Sequence, residues 1–168
     1  PHGYYPCDFV FEAENHDNSA KEFLGHTGNF DGGDVIDIIV DQPACAGFIS
    51  RHLYNFFVAD EPQVPTWNEV APQDPHLIDA MSETFMHSGG DIKSVLRVMF
   101  NSNAFKDARF KKVKSPIELV VGILKMVGNF DDFRPGLSAY ADSTTVVMGQ
   151  KLLDPPSVEG WHTGKEWI

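Results

Sequence analysis

Apolar residues recur along this chain at helical spacing. They are densest from Lys114 to Gly128, where Ile117, Leu119, Val120, Val121, Ile123, Leu124, Met126 and Val127 leave almost no polar face. A helix apolar all round is one enclosed by protein, so this stretch is expected to be the central buried helix. Both of its ends are marked: Ser115 and Glu118 form an S-x-x-E capping box, Pro116 takes the first helical position, and Gly128 is placed for the C-terminal cap. The stretch is too short to cross a bilayer.

Two further segments follow the i, i+3, i+4, i+7 template. Leu77, Ile78, Met81 and Phe85 come after an Asp74-Pro75 start, and Ile92, Val95, Leu96, Met99 and Phe100 come after Asp91. Ser88-Gly89-Gly90 separates them, which predicts a helical hairpin. Pro43 opens another helix, with Ile49, Leu53, Phe56 and Phe57 on one face and Arg51 and Asn55 on a more polar side. Shorter helices are expected over residues 35–40, behind Asp31 and Asp34, and over residues 137–152. Near the N-terminus, residues 9–14 alternate like a strand that residues 21–24 can join. The pattern therefore predicts an all-α fold of about six helices packed around residues 114–128, with long ordered loops and at most one small N-terminal hairpin.

The 168 residues suit one domain able to bury a core without disulfides. Residues 1–33 read as an irregular or hairpin-containing segment. Residues 60–75 hold four of the eleven prolines and read as an ordered loop pinned by Trp67, and residues 154–168 form a tail with two tryptophans. The chain starts without a methionine and reads as a fragment of something longer. Its formal charge of −11 disfavours nucleic acid and anionic lipid surfaces as partners, and no stretch suggests membrane insertion. Cys7 and Cys45 have neither zinc-ligand nor redox spacing, and whether they pair is left open.

The order of Asn15-His-Asp, Phe23-Leu-Gly, Asp31-Gly-Gly-Asp-Val, Phe48-Ile-Ser-Arg-His-Leu-Tyr-Asn-Phe-Phe, Ser88-Gly-Gly-Asp-Ile, Val113-Lys-Ser-Pro-Ile-Glu-Leu-Val, Met148-Gly-Gln and Pro155-Pro-Ser-Val-Glu-Gly-Trp resembles the bacterial domain-of-unknown-function 1800 family. The likeness runs nearly end to end and corresponds to the C-terminal half of a longer member. It implies an exported protein, periplasmic or on the cell surface, whose partners are its own N-terminal half or other envelope proteins. It implies no particular reaction.

Four groups of residues are candidates for chemistry. His16, Asp17 and His26, with Asp31 and Asp34, can supply ligands to a divalent metal ion, or an imidazole–carboxylate pair, from one loop. Turn formation by Asx residues and helix capping account for them more simply. Lys112 and Lys114 precede a helix N-terminus, a geometry that attracts anions, although such a run is more often a solvated face. Trp161, His162 and Trp167 can form an aromatic platform for a sugar or peptide, or anchor the tail. Arg51 and His52 can meet Glu118 as a polar pair, with Ser115 and Glu118 already serving as caps. No phosphate loop, nucleophile elbow, zinc-protease helix or dinucleotide fingerprint occurs. The reading favoured by the residues is a non-catalytic helical assembly or binding module of the cell envelope. The alternatives are a metal-dependent hydrolase using residues 16–34 and a carbohydrate-binding surface at Trp161 and Trp167.

Overall fold

The structure is a computed structural model that describes residues 9–128, 136–158, 160–161 and 163–168. Among them are seven helices and one two-stranded antiparallel sheet, in the order β1 (Lys21–Phe23), β2 (His26–Gly28), α1 (Gly32–Val40), α2 (Pro43–Phe57), α3 (Pro75–His87), α4 (Ile92–Asn101), α5 (Asn103–Lys106), α6 (Pro116–Val127) and α7 (Leu137–Val147). The mostly helical class is as expected.

Local chemistry sets most of the boundaries. Asp31, Asp74, Asp91 and Ser115 each accept hydrogen bonds from the first-turn N–H groups of α1, α3, α4 and α6, satisfying donors that have no partner within the helix. Gly89 and Gly90, both at positive φ, end α3 and return the chain into α4. Gly149 at φ 91° stops α7, so that helix ends at Val147 and not at Leu152. Gly128 caps α6 in an extended conformation, without the left-handed turn its glycine permits.

The hairpin forms, but with a partner other than the expected one. β1 pairs with β2, placing Lys21 opposite Gly28 and Phe23 opposite His26. Leu24 and Gly25 both have positive φ. That two-residue turn matches the twist of adjacent strands and ties residues 21–23 to the segment that follows them. Residues 9–11 are exposed, and a single 3₁₀ turn covers Ala13–Asn15.

The core lies between α2, α3 and α4, where Ala46, Tyr54, Val58, Ala59, Leu77, Ile78, Met81, Phe85, Val95 and Met99 are buried together. α3 buries the face its periodicity marks. In α2 the buried face is Ala46, Ser50, Arg51 and Tyr54, while Phe56 and Phe57 are exposed. α2 with α3 is the most extensive helix pair. Phe57, Phe100 and Phe105 continue the packing edge to face at the rim.

The stretch expected to be central is peripheral. α6 packs chiefly on α7, buries only Pro116 and Val120, and exposes Leu119, Ile123, Met126 and Val127. No helix of the described residues is long and apolar enough to cross a membrane.

Candidate functional site

In the N-terminal segment His16, Asp17, Asp31 and Asp34 are engaged in local hydrogen bonds. The Asp31 carboxylate accepts from Gly33 N at 2.7 Å and Asp34 N at 3.0 Å, and Asp34 Oδ2 accepts from Asp31 N at 2.9 Å, a reciprocal cap. Asp17 accepts from the Ser19 N–H and hydroxyl, both at 2.9 Å, and these bonds hold its carboxyl below the usual carboxylate range. The His16 ring nitrogens meet Phe30 O at 3.1 Å and Asn18 Oδ1 at 3.2 Å. His26 is exposed in β2. Among the described residues no three His, Cys, Asp or Glu side chains are grouped to hold a metal ion. Cys45 is a half-buried free thiol, and Cys7 lies outside the described residues.

Arg51 does not meet Glu118. Its Nε and Nη2 contact Glu61 Oε2 at 2.7 and 2.6 Å, Nη1 donates to Val70 O at 2.9 Å and Trp67 O at 3.2 Å, and the guanidinium lies over the Trp67 ring. Glu61 Oε1 in turn accepts from Gln73 N at 2.9 Å. The pair is buried, and it ties the proline-rich loop to α2. Trp67 donates to Pro62 O and packs against Phe48 and His52, completing the same fastening.

The remaining candidates converge. A cleft of about 370 Å³ opens between the C-terminal half of α2, the start of α6, Gln150 beyond the end of α7, and the tail, within the roughly 300–1,000 Å³ typical of small-molecule sites. Its walls include His52, Lys112, Ser115, Glu118, Trp161 and Trp167, drawn from three of the sequence candidate groups, together with Asn55, Asp60 and Gln150. His162 lies outside the described residues.

Asp60 is the junction. Its Oδ1 accepts from Lys112 Nζ at 2.8 Å, its Oδ2 accepts from Val113 N at 2.7 Å, and its side chain rests against Gly164 so closely that a Cβ there would stand 2.8 Å from its carboxyl carbon. Gly164 also has φ 57°, so the tail can dock on Asp60 only through glycine. Trp167 packs over Gly149, and Gln63 Nε2 donates to Glu166 Oε2 at 2.7 Å, fastening the tail on two more sides.

Lys112 also donates to Asn55 O, so both of its contacts are internal to the fold. Lys114 reaches along α6 to the side of Gly122, away from the helix start. The anion reading of these lysines therefore loses its charge: one is paired and the other is displaced. His52 is partly desolvated, which holds its imidazole below the ordinary histidine value.

Two amides were missed by sequence reasoning. Gln150 is buried, and its side-chain carbonyl accepts from Ile117 N at 2.8 Å. Asn55 Oδ1 accepts from Glu61 N at 2.9 Å. In each case a main-chain donor fixes which end is oxygen. Among the described residues neither amide nitrogen has a hydrogen-bond partner, and both residues line the cleft. The sequence signals were Asn55 on the more polar side of its helix and Gln150 next to Gly149.

The chain belongs to the family described as "Protein of unknown function (DUF1800)", whose model matches residues 3–168. No curated protein and no solved structure matches it.

Proposed function

We propose that the protein is a non-catalytic recognition module and that the cleft bounded by Asp60, Gln150 and the tail is its ligand site. The observation that carries this is Gln150. Gln150 is a buried residue that spends its oxygen on Ile117 N and leaves its NH₂ accessible at the cleft wall. Donors fixed in advance of binding favour recognition, because little ordering remains to be done when the ligand arrives.

The setting we infer is an exported, cell-envelope protein. It rests on the family resemblance and is tested by fractionating the producing bacterium. The partners inferred are another part of the same polypeptide or an envelope protein, and the exposed apolar residues of α6 and α7 are the surface most in need of such cover.

The cleft is tested by a small-molecule screen read by protein NMR. Bound compounds are expected to shift the Trp161 and Trp167 indole N–H signals and the Gln150 side-chain amide. Hits whose shifts cluster elsewhere would overturn the assignment.

A further inference from the structure

Resting on the cleft as the binding site, we propose that its ligand is a neutral saccharide. The charge of the walls is nearly balanced. Lys112 is matched by Asp60 at 2.8 Å, and partial burial disfavours the charged form of His52. Glu118 is the remaining ionic group; one of its oxygens accepts from Ser115 N at 2.8 Å at the positive end of α6. An anion would face two carboxylates with no free cation among these wall residues.

A cation would find the opposite difficulty. The Asn55 and Gln150 amides cannot turn their oxygens to it without abandoning Glu61 N and Ile117 N, so both offer only N–H. What suits two fixed amide donors and one carboxylate acceptor is a ligand carrying oxygens that both accept and donate, which describes sugar hydroxyls. The indoles of Trp161 and Trp167 supply planar apolar surface for the C–H face of a pyranose ring.

The test measures binding by ligand-observed NMR and calorimetry to neutral di- and trisaccharides, to the corresponding uronic acids and amino sugars, and to choline. It compares the parent with Gln150→Glu, Asn55→Asp and Trp161→Ala proteins. The two acidic variants keep the oxygen that holds the main chain and exchange the donor for a charged acceptor, and circular dichroism verifies that each variant is folded. Neutral saccharides are expected to bind the parent, at least about tenfold more weakly to each acidic variant and not measurably to Trp161→Ala. Binding of only the charged sugars or choline, with cleft-localised shifts, would overturn the saccharide while sparing the cleft. Neutral binding unchanged in all three variants would overturn both. No binding by any probe overturns the saccharide assignment.

Discussion

The α2–α3–α4 bundle and the α6–α7 pair draw on similar apolar residues and use them differently. In α3 and α4, polar and apolar positions alternate with the helical period, and Met81, Val95 and Met99 are fully buried. In α6 almost every position is apolar, yet Met126 is 77% exposed and Ile123 46%. The number of apolar residues measures how much surface a helix would gain by burying, but their spacing supplies the direction. α6 carries only a narrow polar stripe, Glu118 and Lys125 seven positions apart, so most of its circumference is apolar and more of it than α7 covers is left at the surface. What positions α6 is polar: the Ser115–Glu118 box and the Gln150 amide at Ile117.

The contrast can be broken by mutation. The largest loss is expected for Arg51→Ala, which leaves Glu61 buried without its countercharge beside the bundle; about 3–5 kcal/mol should vanish from the unfolding free energy. A denaturant midpoint close to the parent's would mean the pair is hydrated and the loop held otherwise. Next, Met81→Ala should cost about 2–5 kcal/mol, whereas Ile123→Ala in α6 should cost well under about 1 kcal/mol because its side chain is nearly half exposed. Equal losses at the two sites would place α6 back in the core.

A smaller effect is expected in the first helix. Asp31→Asn retains acceptors for Gly33 and Asp34 and should cost at most about 1 kcal/mol through the charge–dipole interaction. Melts with chelator and with millimolar calcium should coincide for parent and variant; a metal-dependent rise confined to the parent would revive the ion-binding reading of His16, Asp17, His26, Asp31 and Asp34.

The smallest effect is the pH response of His52. Its folded pKa is depressed from 6.5 by burial, so the unfolded chain takes up the proton first as pH falls. Its contribution is fully present above about pH 6.5 and declines below that, until the folded form also protonates. His52→Gln should flatten this part of the stability profile relative to the parent, and an unchanged slope would assign it to other groups.

The sequence made local features legible because local chemistry decides them. The caps at Asp31, Asp91 and Ser115, the Gly90 turn and the buried stripe of α3 all depend on neighbours within a few residues. Trp67 and the prolines likewise announced a fastened loop. What was not legible required distant partners. Nothing near Arg51 names Glu61, nothing near Gln150 names Ile117, and Asp60 carries no pattern at all. The cleft gathered Lys112, Glu118, Trp161 and Trp167 from readings that the sequence kept separate, because only tertiary contact makes them neighbours.

Asp60 bears on the timing of folding. Its partners Lys112 and Val113 come 52 and 53 positions later in the chain, and Gly164 later still. The bundle joins α3 to α4 across a short glycine turn, so its contacts close small loops, while the cleft must close large ones at greater entropic cost. The cleft is therefore expected to assemble after the helices that support it. In stopped-flow refolding of a Trp67→Phe protein, whose remaining tryptophans are in the tail, the fluorescence change should lag the helical circular dichroism, and simultaneous signals would show that tail and bundle fold as one unit. On that order the helices form first and the tail completes the cleft.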